Sequence, residues 1–329
     1  MPPPTSASAE NQPPTLAFPQ KTFSEMRLTV KGARIGTGIL WMLGATFLFV
    51  CQDSITRLLL RSYPATEIAF WRFFIHLGLA AVFLARHNPR LMIAKKPGLQ
   101  MQRSALLLAT TLFGMLALKI MPLVDFSAIV WVSPVLVAAL SRVFLQERSG
   151  AGLWASVSVG LMGVWMIIGR SGLDLSSTVL FPLLAAFANA FYQIATRFLR
   201  SSDSPYTTLF YSALTGTLFC SGFLPFTAIL PSIADGCLML LLGILGLISH
   251  FCLIRAFSAA PANLIAPFGY TALLWANLFS LLIFGEIPSL RTLAGAGLIV
   301  SAGLCIFLQG RKISDGFGKP TALRAVETE

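Results

Sequence analysis

Four side chains interrupt apolar stretches of this 329-residue chain with groups that could bind a charged ligand or carry a proton: Asp53, Arg72, His76 and His250. A charge at the centre of a bilayer costs about 2.5–3.5 kcal/mol on insertion scales, so such a residue faces a partner or a water-filled cavity. Arg72 lies a turn and a half into one apolar run, and Asp53 lies near the end of the run before it, at a similar level. The two can pair, or both can line a vestibule. Asp53 and Arg57 also stand at i, i+4, where a simple surface pair on one helix accounts for the same residues. His250, inside "GLISHFCLIR", titrates in the physiological range when unperturbed and could handle a proton. A hydrogen-bonded packing histidine explains it equally well, and His76 carries the same two readings.

Asn189, Tyr192 and Gln193 form a polar stripe about one helical turn long. Trp131, Phe268, Tyr270 and Trp275 add aromatic faces. Pro134 and Pro267 stand where each would interrupt helical hydrogen bonding and free backbone carbonyls. Aromatic walls with amide donors suit a planar heterocycle or a zwitterionic amino acid. Packed or lipid-facing rings account as well for each aromatic taken singly. Glu147 in "FLQERSG" and Glu286 in "IFGEIPS" each follow an apolar run and open a turn, as helix caps or as latches of a gate. The chain has no HExxH, no paired intramembrane carboxylates, no nucleophile elbow and no Walker A sequence. Neither enzyme chemistry nor direct use of ATP is expected, and neither a metal nor a cofactor.

Ten apolar runs must position these groups, near 36–56, 66–85, 104–121, 124–144, 151–169, 177–197, 207–228, 236–257, 262–284 and 291–309. Each approaches the ~20 residues that a spanning helix needs. Apolar residues make up 56% of the chain and charged residues 11%, where a soluble domain carries roughly 25% charged. So little polar surface implies that the solvent is mostly lipid. The net charge of +11 would suggest nucleic acid on a soluble chain. Here the basic residues fall between the runs and at the ends, as in loops beside anionic headgroups. The expected partners are therefore the lipid bilayer and a small-molecule substrate, not nucleic acid, and assembly into a homodimer stays open. With ten spans and a cytoplasmic N-terminus, 18 Lys and Arg residues fall on the cytoplasmic side, Arg103 among them, and five outside. That asymmetry predicts both termini in the cytoplasm. Residues 1–35, rich in Pro, Ser and Thr and without an apolar leader, read as a disordered tail, and 311–329 as a second polar tail.

The runs also repeat. "CQDSITRLLLR" ends the first and "YQIATRFLR" the sixth, and a shift of 140 sets Thr56 on Thr196, Arg57 on Arg197 and Leu59 on Leu199. The same shift sets Phe70-Trp71 on Phe210-Tyr211. "FLQERSG" matches "IFGEIPS", and "GLMGVWMIIGR" matches "IVSAGLCIFLQGR" with Gly163 opposite Gly303. Five spans per unit is an odd number, so the second unit enters from the opposite face. This is an inverted repeat, a pattern of secondary transporters. The units run 36–169 and 170–310. Gly152, Ser156 and Gly160 share one face of the fifth run, and Gly297 and Ser301 one face of the tenth. Small residues allow close helix approach in lipid, so both faces are expected in a scaffold seam.

Together these features resemble the EamA family of the drug/metabolite transporter superfamily. They include the two five-span halves and the aromatic-arginine pair Trp71-Arg72 opening the second span. Each half ends with a proline-bearing span, a Glu turn and a Gly-rich last helix, although Pro134 and Pro267 hold unequal places. The resemblance covers residues 36–310. It implies an all-α integral membrane protein of ten helices around a central cavity, working by alternating access on small metabolites. It also puts the fourth, sixth and ninth spans around that cavity, and with them Trp131, Asn189, Tyr192, Gln193, Phe268, Tyr270 and Trp275. "YQIATRFLRSSDSPYTTLFYSALTG" and "GLISHFCLIRAFSAAPANLIAPFGYTALLWA" are similar to bacterial members that carry riboflavin or take up S-adenosylmethionine. The function expected is secondary transport of a small organic metabolite across the inner membrane. Riboflavin, S-adenosylmethionine and amino-acid-like solutes are the candidates, with a lipid flippase or a structural membrane subunit as the alternative.

Overall fold

The computed structural model describes residues 20–144, 152–168, 177–199, 202–259 and 266–317, and all regular structure among them is helical. The helices are α1 Gln20–Leu59, α2 Ala65–His87, α3 Pro97–Ile120, α4 Leu123–Val130, α5 Ser133–Phe144, α6 Gly152–Ile168 and α7 Ser177–Leu199. They continue with α8 Pro205–Ser221, the single turn α9 Leu224–Thr227, α10 Ile233–Ala259, α11 Thr271–Phe284 and α12 Leu290–Phe317. Among the described residues, four stretches are long and apolar enough to cross a bilayer: Gly36–Leu59, Ala65–His87, Pro97–Ile120 and Ile233–Ala256. Shorter apolar helices cover Leu123–Val137, Trp154–Ile167, Leu180–Thr196, Phe268–Phe284 and Leu290–Cys305. The chain is a multi-pass membrane protein.

Proline and glycine punctuate these helices. Pro97 and Pro205 fall in the first turns of α3 and α8, where no intrahelical N–H is needed. Ser204 caps α8 by accepting from the Tyr206 amide at 3.3 Å. Gly285, at φ +66°, closes α11 in the left-handed conformation that glycine adopts without a Cβ clash. The run expected as one helix over 124–144 divides instead, with α4 ending at Val130 and α5 resuming at Ser133. A proline at 134 cannot donate to the carbonyl of residue 130, and the helix breaks just ahead of it. The Ser133 hydroxyl donates to that Val130 carbonyl at 2.5 Å. In the second half a 3₁₀ turn, Ala266–Tyr270, opens the corresponding span and contains Pro267.

The principal packing partners are α1 with α10, α3 with α7, α2 with α8, and α6 with α12. Exchanging the two halves turns α1–α10 into α7–α3 and leaves the other two pairs unchanged. It also turns α2–α10 into α8–α3, and both are in contact. The packing thus follows the sequence repeat.

Several boundaries differ from those expected. Helical backbone begins at Gln20, ahead of Gly36. The third span begins at Pro97 instead of 104, which draws Arg103 into α3. The seventh ends at Ser221, before the separate turn α9. The seam between α6 and α12 lies at Gly163 and Gly295, where a β-carbon on either would stand 2.6 Å from the other's carbonyl oxygen. Gly160 and Ser156 lie on the buried side of α6 as expected, but Gly297 has open space around it and Ser301 is exposed. The tenth-run seam is therefore corrected from Gly297 and Ser301 to the neighbouring face through Gly295.

Candidate functional site

Two polar groups meet between the repeats. The first is centred on Arg103 of α3, which is 2% exposed. Its Nε donates to Thr196 Oγ1 at 2.8 Å, and its terminal nitrogens donate to Ser212 Oγ and Tyr192 OH, both at 2.7 Å. Its guanidinium carbon lies 4.4 Å from the centre of the Tyr192 ring. Thr196 and Ser212 give their own protons to the carbonyls of Tyr192 and Thr208, one turn back. Their lone pairs are therefore left for the cation. A first-repeat arginine is thus held by hydroxyls of the second repeat, on α7 and α8. No carboxylate among the described residues pairs with it.

The second group joins α1, α2 and α10. Gln52, 1% exposed, donates from Nε2 to Ser249 Oγ at 2.8 Å, and Ser249 donates to the Gly246 carbonyl at 3.1 Å. Arg72 and Asp53 are half-buried and lie within electrostatic reach of each other. Yet the one ion pair among the described residues is Arg57–Glu286, so Asp53 and Arg72 stay apart. Arg72 Nε packs over Gly246, 3.6 Å from where a β-carbon would stand. His76 and His250 are buried with ring centres 6.4 Å apart, and Phe49 meets His250 edge-on at 5.2 Å. The two groups adjoin, because α2 of the second packs on α8 and α3 of the first. Six helices, α1, α2 and α3 from one half and α7, α8 and α10 from the other, therefore converge on one polar centre.

The other sequence-selected residues surround this centre or lie away from it. Asn189 donates to Ser133 Oγ at 3.2 Å and so ties α7 to the break between α4 and α5. Gln193 is half-buried beside it. Trp71 follows the helix around from Arg72 and packs with Phe70 and Phe74, at 5.5 and 6.0 Å between ring centres. Trp131 ends α4 and covers Gly269. Phe268 packs with Met42 and Ala256, and Trp275 meets Phe47 at 5.2 Å. Tyr270 is 6% exposed and lies against Gly303 of α12, in the packed cluster with Val132 and Ile299. Pro134 and Pro267 contribute the backbone breaks already described. Glu147 lies outside the described residues.

At the α1–α2 end, Arg57 reaches across the repeats to Glu286 at 2.6 Å. Asp125 and Asp235 accept from Thr292 and Tyr63 at the same end. At the opposite end, Asp203 accepts from the Lys95 amide at 2.7 Å and from Gln100 at 3.2 Å. Glu286 stands in the turn after α11, and hydrogen bonds from Arg57 hold its carboxyl below the usual carboxylate range.

Helix packing that exchanges under the repeat, around a shared polar centre, defines the class of membrane transporters built from duplicated helical units. The chain belongs to the EamA-like transporter family, which it matches over residues 36–169 and again over 176–308. Over 280 residues it is 27% identical to an S-adenosylmethionine uptake transporter of Rickettsia felis, covering 84% of this chain and 94% of that one. Over 294 residues it is 28% identical to a riboflavin transporter of Rhizobium johnstonii, covering 87% and 96%. Over 285 residues it is 28% identical to a pseudopaline exporter of Pseudomonas aeruginosa, covering 84% and 97%. A solved chain with 17% identity shares the fold at a TM-score of 0.60, over 87% of this chain and 99% of that one.

Proposed function

We propose that this protein is a secondary transporter that moves a small organic metabolite across the bacterial inner membrane by alternating access. Ten spans in two inverted five-helix repeats carry it, with both termini cytoplasmic. The observation that supports this reading most directly is the polar centre built across the repeats, where Tyr192, Thr196 and Ser212 of the second hold Arg103 of the first. Uncompensated polar groups at bilayer depth are costly, and a solute pathway is the common reason for keeping them. Riboflavin, S-adenosylmethionine and amino-acid-like solutes are the candidate substrates, the first two because relatives are named for them.

The test is flux. The purified full chain, reconstituted in liposomes, is loaded in turn with riboflavin, S-adenosylmethionine and a panel of amino acids. Saturable exchange of at least one solute is expected. Leakage at the rate of empty liposomes across the whole panel would overturn the reading.

A further inference from the structure

We infer that Asp53 and Arg72 form a clamp for a zwitterionic head group of the α-amino-acid kind, with the ammonium on Asp53 and the carboxylate on Arg72. The clamp rests on the transport reading above for its purpose, but its occupancy can be measured without flux.

Three arginines in this half face three different situations. Arg57 is satisfied by Glu286. Arg103 is satisfied by three hydroxyls and is nearly inaccessible. Arg72 makes no hydrogen bond to any described residue and keeps accessible surface, and the same is true of Asp53. An arginine carries five N–H donors in a planar fork, and a carboxylate offers about four acceptor positions. Both sets stand open and beyond ion-pair distance of each other, on two helices that each pack on α10 and meet at Gly246, where Gln52 Oε1 and Arg72 Nε stand 3.5 and 3.6 Å from the β-position.

The neighbours maintain that separation. Gln52, next to Asp53, is tied to Ser249 of α10. The bare backbone of Gly246 leaves room for the Arg72 guanidinium at the α10 surface. A solute with one charge would match one member and leave the other desolvated and unmatched, which is unfavourable at this depth. A solute with two opposite charges a few bonds apart matches both at once. Arginine's fork favours a carboxylate in particular, through two parallel hydrogen bonds. Half-buried Phe49, beside His250, offers an apolar face to the rest of such a molecule.

The experiment is ligand-dependent thermal stabilisation of the purified full chain in detergent. The probes are S-adenosylmethionine, methionine and tryptophan, followed by N-acetylmethionine, which lacks the ammonium, and methionine methyl ester, which lacks the carboxylate. At least one free zwitterion is expected to stabilise the protein at millimolar concentration, and each blocked form to bind at least about tenfold more weakly. Asp53→Asn is expected to abolish the discrimination against the acetylated form, and Arg72→Gln the discrimination against the ester. Absence of stabilisation by all three zwitterions would overturn the clamp, as would equal binding of the free and blocked forms. The analogue series uses the unmodified protein, so it decides the matter even if the variants do not fold. Riboflavin flux without zwitterion binding would remove the clamp and leave the transporter. Zwitterion binding without flux of any solute would do the reverse.

Discussion

Arg57, near the end of α1, grips Glu286, just beyond α11, through two charge-assisted hydrogen bonds: Nη1 to Oε2 at 2.7 Å and Nη2 to Oε1 at 2.6 Å. Ser280 donates to the same carboxylate at 3.2 Å, and the Phe284 ring lies 4.3 Å under the guanidinium. The pair joins the first helix of one repeat to the end of α11 in the other. Any motion that separates the repeats at this end must break it. Its side chains are 16% and 32% exposed, so water screens it, and about 0.5–1 kcal/mol is a fair scale for its worth. A contact of that size holds the two ends together without locking them.

Glu286→Gln keeps the shape of the side chain and removes its charge. The α1–α11 end should then open more often. A cysteine at Thr56, buried one residue before Arg57, reports this in a background lacking the five native cysteines. Labelling by a membrane-impermeant thiol reagent should accelerate several-fold, as a loss of about 1 kcal/mol implies. An unchanged labelling rate would reduce Glu286 to a helix-end cap.

The same pair sets a pH dependence. Arg57 holds the Glu286 carboxyl below its ordinary value of 4.5. A depressed carboxylate adds stability that is complete above the unfolded value and disappears as pH falls through the folded one. The unfolding temperature of the native chain should exceed that of Glu286→Gln by a constant margin from neutral pH down to about 4.5. The margin should shrink only below that. A margin that narrowed already between pH 7 and 6 would point to another group.

Much of the fold was legible because hydropathy and repetition are carried by many residues at once. The shift of 140 that sets Arg57 on Arg197 is echoed in packing, where α1–α10 and α7–α3 are counterparts. The pairing of Arg57 with Glu286 was not legible. Arg57 and Glu286 are 229 positions apart, and each has a local explanation, as partner of Asp53 or as a cap. By hydropathy Arg103 falls in a loop, because the apolar run starts just after it. The structure starts the helix at Pro97 and so places Arg103 inside it, and a proline in the first turn is a start signal that an average of hydropathy does not register. By its sequence Tyr270 reads as a cavity aromatic, yet at the start of α11 it packs on Gly303 of α12. Which face of a helix meets a neighbour depends on the neighbour, and periodicity alone does not state it.

Gly163 and Gly295 give the same lesson in testable form. A β-carbon on Gly163 would collide with the Gly295 carbonyl at 2.6 Å. Backbone cannot move aside as a flexible side chain can, so α6 and α12 must separate. Gly163→Ala should lower the unfolding temperature by several degrees, and Gly163→Leu should prevent recovery of folded protein. Gly297→Ala, two residues from Gly295 with nothing within 4 Å of its β-position, should be neutral or stabilising by up to about 1 kcal/mol. Equal damage at positions 163 and 297 would mean that the seam runs elsewhere.

Arg103 separates structural from functional need most cleanly. Its three hydroxyl partners surround a planar fork, and an ammonium cannot reach all three while lying over the Tyr192 ring. Arg103→Lys should therefore fold but lose at least about tenfold in flux. Arg103→Met removes the charge and keeps most of the volume. Thr196 and Ser212 still donate to the carbonyls of Tyr192 and Thr208, so few buried groups are orphaned, and stability should stay within about 1–2 kcal/mol of the native chain. Flux should nonetheless be lost, because the centre has lost one of its two arginine charges, the one that holds α7 and α8. Arg90→Ala, on an exposed arginine, should leave both quantities unchanged. Normal flux in a well-folded Arg103→Met protein would make Arg103 a packing element and return the transport role to Arg72 and Asp53 alone.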